Sequence, residues 1–149
     1  MPLANQLGLS RDALRQTLDA LIEVGLVMRN PGYGHPSRPE YVLTEDGERI
    51  APVCARLLRE LRRRGLEEVV LKKWSMPILA ALGTESRYGE LRRALGATPR
   101  ALTLALKELA ARGLVERRVH ADFPPYTTYR LTAESRGLRG QVERLAAGL

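Results

Sequence analysis

The sequence predicts a mainly helical α+β protein built from one unit, a helix followed by a two-stranded ribbon, used twice. Three observations predict it. Residues 98–132 (TPRALTLALKELAARGLVERRVHADFPPYTTYRLT) align without a gap on residues 10–44 (SRDALRQTLDALIEVGLVMRNPGYGHPSRPEYVLT), with twelve of thirty-five positions identical. A fixed internal offset is the mark of one structural unit repeated. Each copy opens with a capping residue before a leucine periodicity of i, i+4, i+7. Each then meets a glycine that stops the helix, followed by alternating residues that read as strands.

In the second copy Thr98 is the expected N-cap and Pro99 fills the first helical position, where no N–H is needed. Leu102, Leu106 and Leu109 form the inward face, and Gly113 ends the helix. Leu114 to Val119 alternates as a strand, Asp122-Phe123-Pro124-Pro125 turns, and Tyr126 to Leu131 returns. In the first copy Ser10 caps, Leu14, Leu18 and Leu21 face inward, Gly25 stops, and the chain turns between Asn30 and Pro36. A helix whose end feeds a ribbon is the second half of a winged helix-turn-helix.

The segments around the copies complete the expectation. A short helix before Gly8 places Leu3 and Leu7 inward. A unit of this kind has a further helix ahead of it, so the first unit is expected to be incomplete on its N-terminal side, to start late, or to have its gap filled by another element. From Thr44 an amphipathic helix with Ile50, Val53, Leu57, Leu58 and Leu61 runs to Arg62-Arg63-Arg64-Gly65, with Pro52 expected to kink it. That arginine triplet reads first as basic residues at a helix C-terminus, with a nucleic-acid contact as the alternative. Helices are expected from Trp74 to Leu82 and from Ser86 to Leu95, and a closing helix from Glu134 carries Leu138, Val142 and Leu145. Two units follow, residues 1–65 and residues 66–149, each about 70 residues and only marginally able to fold alone.

The chain has 149 residues, with 24 Lys+Arg against 17 Asp+Glu and a formal net charge of +7. Such an excess favours polyanions once the charges lie on the element that meets them. The one cysteine, Cys54, excludes an internal disulfide and fits a reducing cytoplasm. It reads as a buried structural thiol beside the apolar stripe. No apolar run reaches the length of a membrane span, and the first residues lack the basic start and apolar core of a signal peptide. No Cys/His spacing suggests zinc, Gly32-Tyr33-Gly34 lacks a phosphate-loop lysine, and no acid/base pair stands out. The sequence therefore predicts neither an enzyme nor a cofactor.

The fragments KKWSMPILAAL, YGELRRAL, LTLALKELAARGLVERRV and PPYTTYRLT, in that order, resemble the HxlR type of winged-helix transcription factor over residues 72–137. The first unit resembles the same broad MarR-like group, its LTEDGERIAPV matching the run from ribbon into final helix. The resemblance implies double-stranded DNA as partner, regulation of transcription and a homodimer. Two departures stand beside it. The family pattern has one winged helix per chain, whereas this chain reads as two. Many members carry a sensing cysteine just before the tryptophan helix, where this chain has Val70-Leu71-Lys72-Lys73.

The helix face opposite the leucines is what such a fold offers the major groove. In the first copy it carries Arg11, Asp12, Arg15, Gln16 and Asp19, and both Arg and Gln can pair bidentately with base edges. In the second it carries Arg100, Thr103, Leu104 and Lys107. The ribbons add Arg29, His35 and Arg38, and Arg117, Arg118, His120 and Arg130, suited to phosphates or the minor groove. Solvated helix faces and hairpin ends are the plain alternative. Tyr41 and Tyr129, at equivalent positions, read as strand packing. The rival function is a tandem winged-helix module that binds proteins, for which the Leu104 face would serve.

Overall fold

The computed structural model describes residues 2–30 and 40–148, and it divides into two compact units. The first unit runs to Pro52 and the second from Val53 to Ala147, so the division falls inside one long helix. Among the described residues, no helix is long and apolar enough to cross a membrane.

The first unit contains α1 (Leu3–Leu7), α2 (Arg11–Glu23), β1 (Val27–Asn30), β2 (Glu40–Leu43) and the first turns of α3 (Glu45–Arg64). Ser10 caps α2, its hydroxyl accepting from the Ala13 N–H at 3.1 Å. Gly25 ends the helix at φ 75°. β1 and β2 pair antiparallel, with Arg29 opposite Tyr41. The second unit repeats this scheme inside a larger frame. α4 (Glu67–Val70), α5 (Ser75–Ala81), β3 (Ser86–Arg87) and α6 (Tyr88–Leu95) precede α7 (Pro99–Ala111), β4 (Val115–His120), β5 (Tyr126–Leu131) and α8 (Ala133–Gly148). Thr98 caps α7 through Ala101 N–H, and Gly113 ends it at φ 70°. β5 is the centre of a three-stranded sheet in the order β3-β5-β4, and Arg117 lies opposite Tyr129 as Arg29 does opposite Tyr41.

The repeat extends past its sequence signal into the final helices. Thr44 donates its hydroxyl to Gly25 O at 2.6 Å and Thr132 donates to Gly113 O at 2.7 Å. Three residues on, an added Cβ on Gly47 would lie 2.0 Å from Leu26 O. The equivalent Ser135 is buried and donates its hydroxyl to Leu114 O at 2.6 Å. One copy meets that carbonyl with no side chain and the other with a hydrogen bond.

The second unit's core joins Leu57 and Leu61 of α3, Ile78 and Leu79 of α5, Leu91 of α6, Leu102, Leu106 and Leu109 of α7, Val115 and Leu131 of the sheet, and Leu138 and Val142 of α8. Arg62, Arg63 and Arg64 are engaged by Glu67, Glu60 and Glu134, consistent with the helix-end reading of the triplet.

Several expectations are corrected. Leu3 and Leu7 are exposed, and the side chain that α1 buries is Ala4. Cys54 is exposed, although its spacing of four residues from Ile50 and three from Leu57 puts it on the same side of α3 as those buried residues. The helix expected from Ser86 begins at Tyr88. Ser86 and Arg87 instead pair with Tyr129 and Thr128 as β3, and Glu90 accepts from the Arg87 N–H at 2.7 Å to start the helix.

The backbone at Gly113 costs an ordinary residue about 1–2 kcal/mol, because its φ is left-handed, while a Cβ there meets nothing within 4 Å. Gly113→Ala is therefore expected to lose about that much stability in urea denaturation followed by the fluorescence of Trp74, which packs against the second core. An unchanged midpoint would contradict the backbone origin of the requirement.

Candidate nucleic-acid interface

α2 buries Leu18, half-buries Leu14 and Leu21, and leaves Arg11, Asp12, Arg15, Gln16 and Asp19 exposed. Arg15 reaches back to Asp12 at 3.7 Å, a loose pair in open solvent that holds neither side chain firmly. Arg29 is exposed on β1. His35 and Arg38 lie outside the described residues.

In α7 the leucines and Ala105 are buried, and Arg100, Thr103, Leu104 and Lys107 are exposed. Spacing of three and four residues puts Arg100, Thr103 and Lys107 on one face. Thr103 is held in place. The Tyr88 hydroxyl lies 3.1 Å from Thr103 Oγ1 and 3.1 Å from Pro99 O. Since the carbonyl can only accept, Tyr88 donates to Pro99 and takes its second bond from Thr103. The Tyr88 ring also packs against the core, and the role of its hydroxyl was not read from the sequence. Its signal would have been a tyrosine on the helix preceding a threonine-bearing helix, which is too common to single out.

Strand alternation divides the wing cations. Arg117 shares a face with Val115 and Val119, and it lines a groove of about 260 Å³ with Thr103, Lys107 and Tyr129. Arg100, Thr103, Lys107 and Arg117 thus belong to one surface of the second unit. Arg118 points to the other face, where its Nε lies 3.3 Å from Glu116, and Arg130 binds the same carboxylate at 2.7 and 2.8 Å. Leu104 is 55% exposed beside the cationic line.

On that second face a polar network ties β3 to β4. The Thr128 hydroxyl donates to Glu85, and His120 Nε2 lies 2.7 Å from Thr128 Oγ1 and 3.4 Å from Glu85. With Thr128 donating to the carboxylate, the imidazole must carry its proton on Nε2. The Thr128 bond chiefly, and His120 after it, hold the Glu85 carboxyl below its usual range. His120 also stacks on Tyr126 at 4.4 Å, while the Arg87 guanidinium covers the same ring at 4.0 Å from the neighbouring strand. Among the described residues, no group of His, Cys, Asp and Glu is placed to hold a metal.

Arg130's hydrogen bond is the main reason that the Glu116 carboxyl titrates below its ordinary 4.5, and Arg118 adds to it against partial desolvation. A lowered carboxyl stabilises the fold above its ordinary range, and that contribution disappears as pH falls through the lowered value. NMR titration of the Glu116 carboxyl is expected to give a midpoint below 4.5, moved upward by Arg130→Ala. A midpoint that ignores that substitution would remove Arg130 as the cause.

Comparison with known proteins follows the same lines. The regulatory protein MalR of Fusobacterium mortiferum is 45% identical over 69 residues, covering 44% of this chain. The HTH-type transcriptional regulator YtcD of Bacillus subtilis is 37% identical over 82 residues, or 54% of this chain. The chain spans 65% of the length of each. Among solved structures, a MarR-family regulator from Porphyromonas gingivalis W83 is similar at TM-score 0.53 and 28% identity, over 56% of this chain and 84% of that one. The redox regulator HypR in its oxidized form is similar at TM-score 0.51 and 34% identity, over 54% and 86%. The family model described as HxlR-like helix-turn-helix matches twice, over residues 2–66 and again over residues 69–147, and with nearly all of its length so accounted for the chain belongs to that family.

Proposed function

We propose that this protein is a transcriptional regulator that binds duplex DNA sequence-specifically through tandem winged helices. The observation that carries the reading is the surface of the second unit. Arg100, Thr103 and Lys107 lie on the exposed face of a capped helix-turn-helix, and Arg117 of the wing stands across the groove from Thr103 and Lys107. An α7 laid in a major groove would bring these cations to the phosphates that flank it. Relatives named as HTH-type transcriptional regulators support the same reading. In the first unit, Arg15 and Gln16 are the side chains chemically able to read guanine and adenine edges, with Arg11 and Arg29 beside them. Arg38 and Arg118 complete the proposed contact set. Arg118 acts from the outer face of its wing and must leave Glu116 to reach a phosphate. Units of residues 1–65 and 66–149, a homodimer and a cytoplasmic location belong to the same proposal, and sedimentation of the full chain tests the dimer.

Leu104, an exposed leucine in the middle of the α7 face, favours a second reading as a protein-binding module. Affinity for a genomic fragment library across a salt series separates the two. A DNA reader loses affinity steeply as salt rises. Lys107→Ala is expected to weaken all fragments alike and to lower the salt slope by about 1. Arg15→Ala is expected to relax the selected sequence, costing about 1–3 kcal/mol at the base it reads. Absence of salt-sensitive binding to any fragment would overturn the regulator reading in favour of the protein-binding one. An unchanged selected sequence for Arg15→Ala would remove α2 as the reader.

A further inference from the structure

A separate cavity of about 470 Å³ lies between the turn after α5 and the exposed side of α8, and three guanidinium groups line it. Arg136 and Arg139 are three residues apart on α8 and so share a face. Arg130 enters from β5. Two acids also line the cavity, and both are already engaged. Glu85 accepts from Thr128 and His120, and Glu143 binds Arg139 at 2.5 Å. Arg130 is held by Glu116.

Two groups remain. Arg136 is exposed, and its side chain has no hydrogen-bond or ion-pair partner among the described residues. Arg139 makes its ion pair through its terminal nitrogen, but its Nε–H is buried without an acceptor. Its guanidinium passes so close to Gly83 that a Cβ there would lie 3.0 Å from it. Glycine at that position leaves the guanidinium its place. That N–H has almost no exposed surface, so the donors a ligand would meet are the terminal nitrogens, one of which now faces Glu143. Guanidinium groups suit carboxylate and phosphate oxygens, which they bind with paired N–H donors. The volume lies within the range of roughly 300–1,000 Å³ usual for small-molecule sites and exceeds what a simple inorganic ion fills.

We propose that this cavity binds a small organic anion whose carboxylate or phosphate accepts from Arg136 and from the terminal nitrogens of Arg139, where Glu143 now sits. The rest of the molecule occupies the space between Gly83 and Leu131. The ligand would displace Glu143 as the competitor for Arg139, and it would sit one ion pair away from β4 through Arg130 and Glu116. The inference does not depend on DNA binding, and its test is made without DNA.

The test uses the ¹⁵N-labelled full chain and the arginine Nε–H signals in NMR spectra, with Arg139 identified by the signal lost in Arg139→Lys. Glycerol phosphate, citrate and benzoate are titrated separately as sodium salts. Inorganic phosphate and sodium chloride at matched ionic strength are the controls. The expected result is a saturable shift of the Arg139 signal with at least one organic anion, and which anion it is separates the phosphate source from the carboxylate source. Arg136→Ala is expected to weaken that binding about tenfold, the effect of losing one charge-assisted contact. Glu143→Gln is expected to strengthen it by removing the competing carboxylate. Both substitutions are at solvent-accessible positions, and unchanged Trp74 fluorescence melts show that the fold is kept. Arg136→Gln serves as a second variant if the alanine form melts early. The proposal is overturned if no organic anion gives a saturable shift, if chloride reproduces the shift, or if inorganic phosphate binds as tightly as the best organic anion. Binding that is unchanged in the Arg136 variant overturns it equally.

Discussion

The turn at the end of each principal helix is the constraint on which both units depend. A helix that must feed directly into a strand has to reverse its carbonyl direction within two residues. Gly25 and Gly113 do so with left-handed φ values of 75° and 70°. Leu26 N–H then returns to Leu21 O and Leu114 N–H to Leu109 O, each at 2.9 Å. These are the six-to-one bonds of a Schellman motif. The glycine carbonyl left over is taken by a threonine hydroxyl from the far end of the ribbon, Thr44 in one unit and Thr132 in the other. That same residue starts the next helix, with Gly47 N–H bonded to Thr44 Oγ1 and Ser135 N–H to Thr132 O. One residue thus fixes the helix end, the wing register and the departure of the following helix.

From this common turn the two units diverge in how much they can bury. Leu102 and Leu109 of α7 are fully buried, whereas Leu14 and Leu21 at the equivalent positions of α2 are only half-buried. The difference follows from what comes before each helix. α5 and α6 bring Ile78, Leu79 and Leu91 over α7, while α2 is preceded by the five residues of α1, which bury only Ala4. A unit with little apolar cover gains little from hydrophobic burial, so α2 relies more on its Ser10 cap and its glycine turn.

What the sequence disclosed divides along physical lines. Caps, helix stops and the leucine faces are local, and the residues that make them stand within a turn of each other. The ribbons were legible because Val115 and Leu131 alternate with polar residues. β3 was not, since two residues carry no periodicity and their strand character comes from pairing with Tyr129 and Thr128 some forty residues away. Alternation counted from Val115 would have separated Arg117 from Arg118. Tyr88 binding Thr103, and Arg136 and Arg139 meeting Gly83, are long-range encounters that no local pattern announces. Cys54 was misjudged because its spacing matches the buried line of α3 while the side chain is exposed: periodicity gives the side of a helix, and burial depends on what packs over it.

The formal charge of +7 is a poor guide to where an anion would be held, because many of the cations already have partners. Arg62, Arg63 and Arg64 at the end of α3 and Arg118 and Arg130 in the wing all face carboxylates. The proposed contact positions differ in this respect. On α7, Arg100 and Lys107 stand without an acid beside them on the exposed face, while on α2 the cations Arg11 and Arg15 alternate with Asp12 and Asp19. Under the DNA-binding reading, the second helix is therefore suited to non-specific attraction, which scales with unneutralised charge. The first contributes little net attraction but carries the bidentate groups that distinguish bases. Two copies of one unit would then divide affinity and specificity between them. The acids of α2 sharpen that division, since a carboxylate in a groove rejects phosphate and accepts only from a base amino group such as that of cytosine.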